Sequence, residues 1–421
     1  MTVDPPASGS PAVLPAGPAL GPDRIEALDV LRGLAVLGIL LMNIQSFGSP
    51  GDEYMNPAAR GTPSGLDLAI WATSHVLADS KFMTLFSVLF GVGIAIFAGR
   101  LEHRGRKPAG LHYRRMGWLW LIGMLHGYLL WYGDILVSYA VCGMVVFWLR
   151  SLRARWQMLV GTLMIAVPSL LLAGLAAAVP HLPPEALDGL RESWQPSGDA
   201  VARELAAMRG SWLQQMPQRA AETFNMQTLV HLLFVAWRCG SLMLWGMAGL
   251  QLGVVTAGCS RRFYLGLLAV GAGVGLPLIL LGLRRNLLLG FDMEDAMLRG
   301  FQFNYWGSLG LAAAYLALVM LMVQSRSLPA VRRSLAAAGR MAFSNYLGQT
   351  VICTTIFYGH GFGLFGRTER WQQLAMVLAI WALQLAISSW WLARFRFGPM
   401  EWLWRSLTYW RRQPLRRQLS T

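Results

Sequence analysis

Apolar runs of about 20 residues, each long enough to cross a bilayer as a helix, recur along the chain between short segments rich in arginine. Ten runs are predicted to span: 28–47, 82–99, 116–132, 134–149, 157–179, 228–254, 263–283, 301–324, 341–362 and 371–393. The third and fourth are short and share the tight turn Tyr132-Gly133-Asp134. Residues 66–80, with Trp71 and His75, are amphipathic and are expected at the outer interface rather than across the bilayer. The segment 180–227 is polar, holds Pro183-Pro184 and an amphipathic stretch near 199–216, and lies between two long runs. The pattern therefore predicts an all-α, polytopic membrane bundle of about ten transmembrane helices over residues 24–397, with a small helical periplasmic cap at 180–227.

The two ends differ from this core. Residues 1–23 are rich in Pro, Ala, Gly and Ser and are expected to be disordered, because they cannot bury enough apolar surface to fold alone. They lack the basic start and cleavage site of a signal peptide, so the first apolar run is expected to act as an uncleaved anchor. Residues 398–421 open on Gly398-Pro399 and continue with Trp402, Trp404 and several arginines. They are expected to form an amphipathic, basic segment on the cytoplasmic surface, held by aromatics and anionic lipid, with Glu401 and Arg405 spaced as an i,i+4 pair.

Composition agrees with the bilayer assignment: 55% of the 421 residues are hydrophobic and only 14% are charged, against about 25% charged in soluble domains. A net charge of +15 raises the question of nucleic acid. The basic residues sit on short loops between spans, however, as the positive-inside rule requires, so nucleic acid is not expected as a partner. Segments on the proposed inner side carry 24 Lys and Arg against 6 Asp and Glu, those on the outer side carry 11 against 15, and Arg238 lies within a span. Both termini are therefore placed in the cytoplasm of a bacterial-type inner membrane, although residues 1–27 alone lean the other way. The four cysteines lie in or beside apolar runs without CxxC spacing, which argues against a disulfide framework or zinc site. No metal and no permanently bound cofactor are predicted, and membrane lipids are the expected surroundings.

Polar groups inside the spans are the candidates for chemistry, because hydrocarbon penalises them. Asp29 and Arg32 stand three apart at the start of the first span, and Asn43 follows about three turns later on the same face. Arg32 either closes an interfacial ion pair or holds a phosphate of a cytoplasmic donor bidentately. His126 lies in the third span, with Asp134 beyond the turn. That pair reads either as a general base and its orienting acid or as a helix contact with Asp134 capping the fourth span. In the ninth span, Asn345 and Gln349, and likewise Tyr346 and Thr350, are i,i+4 neighbours. Four polar side chains on two stripes must face helices, water or a ligand. Lys81 is expected to snorkel at the outer boundary, and Gly91-Val-Gly93 reads as close helix packing.

The stretches "RIEALDVLRGLAVLGILLMNI", "KFMTLFSVLFGVG", "LHGYLLWYGDIL", "GRMAFSNYLGQT" and "FGPMEWLWRSLTYW", spread in order over about residues 24–413, resemble the YeiB-like membrane proteins, the family called domain of unknown function 418. The opening "LDVLRG" also resembles the wider transmembrane acyltransferase superfamily, including the heparan-glucosaminide N-acetyltransferase relatives. That second resemblance covers mainly the first span. It implies a channel bringing acyl-CoA to an acceptor on the far side, with a histidine as base. Where many such enzymes carry a His soon after the first span, this chain has Asn43 and "QSFGSP", so the role would fall to His126. The leading expectation is acyl transfer from a cytoplasmic donor such as acyl-CoA to an outer-face hydroxyl or amine of a lipid, glycan or small metabolite. His126 would be base, Asp134 its orienter and Arg32 the donor contact, with Asn43, Asn345, Tyr346 and Gln349 as substrate contacts. The alternatives are a transporter or flippase lined by the same groups, and a non-catalytic scaffold.

Overall fold

In hydrocarbon every backbone N–H and C=O must be bonded internally, so long apolar runs fold as helices. The computed structural model describes residues 25–61 and 63–417, and among these it is helical apart from turns and one isolated bridge, Phe395 to Arg416. The segment 1–23, expected to be disordered, lies outside the described residues. The chain opens with α1 (Glu26–Gly48), the short α2 (Asp52–Met55), the amphipathic α3 (Gly65–Leu77) and α4 (Lys81–Glu102). The hairpin α5 (Ala109–Leu129) and α6 (Leu136–Val146) follows, then α7 (Ala154–Ala178). Three polar helices come next: α8 (Pro184–Trp194), α9 (Gly198–Arg209) and α10 (Met216–Asn225). The second half holds α11 (Ala236–Gln251), α12 (Arg261–Leu288), α13 (Phe301–Gln324), α14 (Pro329–Arg340), α15 (Ala342–Phe357), α16 (Arg370–Arg394) and α17 (Pro399–Tyr409). Two π-helical segments, Met226–Val235 of 10 residues and Glu294–Gly300 of 7, lead into α11 and α13.

Each of the ten predicted spans coincides with a helix, although α5 and α15 stop short of the predicted ends at 132 and 362. Seven described helical segments are long and apolar enough to cross a membrane, built around α1, α4, α7, α11, α12, α13 and α16. The other three are α5, which carries Arg114, Arg115 and two histidines, α6 with 11 residues, and α15 with 16. At 1.5 Å per residue α15 is about 24 Å long, shorter than the hydrocarbon layer. Helices this short or polar are tolerated where protein rather than lipid surrounds them. The burial pattern gives the arrangement: the apolar window of α1 is 72% buried, against 22% for α7, α12 and α16. The first is the axis of the bundle, and the other three form its lipid-facing perimeter.

Two close crossings fix helices around that axis. A Cβ on Gly33 would stand 1.9 Å from the Leu335 carbonyl oxygen, and one on Gly339 would stand 1.9 Å from the Asp29 carbonyl oxygen, so α1 and α14 meet backbone to backbone. Gly91 of α4 and Gly246 of α11 do the same against Met243 and Val88. Gly91 is thus a packing glycine, as its spacing suggested. Gly93 has open space before it and lines a cavity.

Helices α8 to α10 cover the end of the bundle opposite the two described chain ends. Gly359 N–H donates to the Met208 carbonyl at 3.0 Å, Arg209 Nε to the Phe365 carbonyl at 2.8 Å, and Arg219 Nε to the Tyr128 carbonyl at 2.8 Å. Asn56 Nδ2 donates to the Trp194 carbonyl at 3.0 Å, and Gly51 N–H to Glu204 Oε1 at 3.2 Å. Burial is the main cause that pushes the Glu204 carboxyl up to about 7, with Asp52 and Glu222 adding to it.

Candidate functional site

A cavity of about 380 Å³ opens at the end of the bundle that carries Ile25 and Tyr409, within the size range of small-molecule sites. Its wall follows α1 from Ile25 to Ile39, about 20 Å of helix. Phe86, Leu89, Phe90, Ile96 and Phe97 of α4 supply an apolar lining. Seven arginines, among them Arg32, Arg100, Arg104, Arg340 and Arg405, share the wall with only two carboxylates, Asp29 and Glu401. Arg32 Nη1 donates to Asp29 Oδ1 at 3.0 Å, and the Arg32 side chain keeps 29% of its exposure. The ion pair and the cavity position therefore coexist. The crossing at Gly33 and Gly339 puts the neighbouring Arg32 and Arg340 on the same cavity wall.

The tail helix α17 completes this wall rather than lying apart on a surface. Glu401, Trp404, Arg405, Thr408 and Tyr409 all face the cavity. The Glu401 carboxylate accepts from Phe343 N at 2.7 Å, Ser344 N at 3.1 Å and Ser344 Oγ at 2.5 Å, which caps the N-terminus of α15. Burial raises the Glu401 carboxyl above the usual range against those hydrogen bonds. Trp404 Nε1 donates to the Arg115 carbonyl at 2.8 Å, and the Arg115 guanidinium lies 4.4 Å from the Trp404 ring centre.

At the far end of the cavity the wall is Ile135, Tyr139 and Tyr346. One side-chain layer behind it stands His126. Its Nδ1 is 2.7 Å from Asp134 Oδ1 and its Nε2 is 2.9 Å from Thr350 Oγ1. The other Asp134 oxygen accepts from Val137 N at 2.9 Å, so this one residue both orients the histidine and caps α6. The Tyr346 ring packs on the imidazole with centres 5.4 Å apart, and Trp131 approaches from the cap side at 6.3 Å. The structure thus places His126 in a closed polar contact between α5, α6 and α15, not directly on the cavity.

The other amides read from the sequence sit elsewhere. Asn345 Nδ2 donates to the Ala338 carbonyl and Ser388 Oγ, both at 3.1 Å. Gln349 Nε2 donates to the Val36 carbonyl and Gln384 Oε1, both at 3.0 Å. Both side chains join helices and neither lines the cavity, because α16 and α1 lie directly against that stripe of α15. Asn43 is half-buried near the C-terminal end of α1 and is also outside the cavity wall. Of the four-residue polar set on α15, Tyr346 alone reaches the cavity.

A second buried polar cluster lies across the bundle. Lys81 does not snorkel: it is fully buried, and its Nζ donates to Asn304 Oδ1 at 2.6 Å and to the His75 carbonyl at 2.7 Å. Asn304 in turn donates to Asp79 Oδ2 at 2.7 Å. Arg238, also fully buried, donates to Ser308 Oγ, Thr84 Oγ1 and the Tyr305 carbonyl at 2.8, 3.1 and 3.2 Å. A lone Arg inside an apolar run was its signal in the sequence.

The sequence has relatives that run nearly end to end with it. The family model described as protein of unknown function (DUF418) matches residues 249–411. The uncharacterized protein YeiB of Escherichia coli (strain K12) is 32% identical over 399 residues, covering 92% of this chain and 96% of its own. The uncharacterized protein YxaH of Bacillus subtilis (strain 168) is 30% identical over 414 residues, covering 94% and 97%. An uncharacterized 39.9 kDa protein in the amylase 3′ region of Bacillus acidopullulyticus is 27% identical over 402 residues, covering 93% and 96%. With YeiB 32% identical over 92% of the chain, and an all-helical membrane bundle to match, the chain belongs to the YeiB-like DUF418 family of membrane proteins.

Proposed function

We propose that this protein is a membrane-embedded acyltransferase of the bacterial inner membrane, with both termini in the cytoplasm. The observation that carries the reading is the cavity: an apolar slot with an arginine-rich wall, ending one aromatic layer from a histidine held by a carboxylate. That combination suits a donor with a phosphorylated head and an acyl-bearing arm, such as acyl-CoA. The guanidinium groups would hold phosphate oxygens, the phenylalanines of α4 would cover the arm, and Arg32 would be a first phosphate contact. His126, oriented by Asp134, would be the base that takes a proton from an attacking hydroxyl or amine. The acceptor would be a lipid, glycan or small metabolite approaching from the cap side. The resemblance of "LDVLRG" to the transmembrane acyltransferases supports the same reading.

The test uses the full chain in lipid nanodiscs with acetyl-CoA and palmitoyl-CoA as donors and a membrane extract as the acceptor source. Thioester consumption should follow the wild type. It should drop about 10²–10⁴-fold in His126→Gln, which removes the base but keeps hydrogen bonding. Arg32→Lys keeps the charge but loses the planar fork, and should weaken donor binding. Intact thioesters with the wild-type protein, or equal turnover by His126→Gln, would defeat the proposal.

A further inference from the structure

The contact that closes off His126 also has the geometry of a nucleophile, a base and its orienter. A carboxylate can only accept hydrogen bonds, so the 2.7 Å bond from Asp134 Oδ1 requires Nδ1 of His126 to carry the proton. In the neutral ring Nε2 is then a bare acceptor. The group 2.9 Å from it is the Thr350 hydroxyl, which donates. The competing acceptor for that hydroxyl, the Tyr346 carbonyl, is at 3.5 Å and is the weaker partner. Both short distances lie within the reach expected of an activated hydroxyl. All three side chains are excluded from water: Thr350 is 1% exposed, His126 2% and Asp134 5%.

The site is next to the cavity in chain as well as in space. Ile135, which follows Asp134, and Tyr346, one turn before Thr350 on α15, together form the deep wall. The Tyr346 ring lines the cavity on one side and packs on the imidazole on the other, so a route from the cavity to Thr350 on this side passes this one side chain.

Resting on the acyl-transfer reading, we infer that Thr350 is the residue that carries the acyl group, with His126 and Asp134 serving it from α5 and the α5–α6 turn. In the first half-reaction Thr350 Oγ attacks the thioester carbonyl carbon and its proton passes to His126 Nε2. The C–S bond breaks, and the departing thiolate takes that proton as a thiol, leaving an ester on Thr350. In the second half-reaction the acceptor hydroxyl or amine attacks the ester carbonyl and gives its proton to Nε2. The bond to Thr350 Oγ breaks, and the proton returns to that oxygen. His126 Nδ1 keeps its own proton throughout, donated to the Asp134 carboxylate. The intermediate divides the journey: the donor unloads from the cavity, and the acceptor meets the acyl group without meeting the donor.

The experiment is a single-turnover trap. Wild-type protein in nanodiscs is exposed to [¹⁴C]acetyl-CoA or [¹⁴C]palmitoyl-CoA with no acceptor, then digested and mapped. The expected label is an ester on the peptide containing Thr350, resistant to neutral hydroxylamine and discharged when membrane extract is added. Thr350→Ser should keep it. Thr350→Cys should carry a hydroxylamine-labile thioester in its place. Thr350→Val, equal in size but without the hydroxyl, should lose the label and at least about 10²-fold of turnover while remaining folded, its melting temperature lowered only by the loss of one buried hydrogen bond. His126→Gln should lose the label with the hydroxyl still present. Turnover without any label, a label mapped elsewhere, or full turnover by Thr350→Val overturns the nucleophile and leaves the acyltransferase standing. A wild type that consumes neither thioester, with or without extract, overturns both.

Discussion

Seven residues separate His126 from Asp134 in the chain, and the structure brings the pair to 2.7 Å. The spacing was legible because a glycine turn folds α6 back along α5. Thr350 was visible only as one member of a polar stripe, since its partner lies 224 residues away in the chain. Asn345 and Gln349 show the converse difficulty: amides that join helices and amides that bind ligands have the same sequence signature. Lys81 was misread as an interfacial cation because nothing local announces Asn304, its partner across the bundle. At this scale the cap offers a measurable titration. The Glu204 carboxyl, with Asp52 and Glu222 near it and Arg60 opposing, is raised from 4.5 to about 7 by docking. A raised carboxyl favours the protonated, folded form. Its stabilising contribution is therefore full below 4.5 and disappears as pH rises through about 7. The melting temperature of the wild type should fall between pH 5 and pH 8, and Glu204→Gln should flatten that slope. An equal slope in both proteins would show that another group is responsible.

Among elements, each of the ten apolar runs coincides with a helix, seven of them in segments long and apolar enough to cross a membrane, because length and hydropathy are properties of each run alone. Which of them line a cavity is not, since it depends on crossings set by residues far apart. The crossing of α1 and α14 is the clearest case. Gly33 and Gly339 interlock so closely that either Cβ would enter the partner's backbone, and overpacking of this kind generally costs about 1–3 kcal/mol or more. Gly33→Ala is expected to lower the melting temperature and to loosen donor binding together, because the same crossing carries Arg32 and Arg340 on the cavity wall. Gly93→Ala, with open space at its Cβ, should leave the fold intact. A neutral Gly33→Ala would mean that α14 can shift freely. The tail helix taught a different lesson: its Trp and Arg content read as lipid binding, yet Glu401 ties it to the start of α15 and makes it part of the cavity.

For the whole molecule, the predicted charge asymmetry of 24 against 6 on one side and 11 against 15 on the other gives an orientation. A reporter fused after residue 421 should be active only in its cytoplasmic form, and a cysteine placed in α8 should react with an impermeant reagent in intact spheroplasts. An outward C-terminus would reverse the assignment of cavity and cap. That architecture also has an electrical side. A cavity that admits water and ions from one face shortens the insulating path, so the membrane voltage falls across what remains beyond Tyr346 rather than across the full bilayer. A full drop is worth about 2.3 kcal/mol per elementary charge at 100 mV. In the proposed inner-membrane orientation, the layer formed by Tyr346, His126, Thr350 and Trp131 would sit where the field is concentrated. A proton released toward one face or the other from that layer would do electrical work, and an energised membrane would bias the direction in which it leaves.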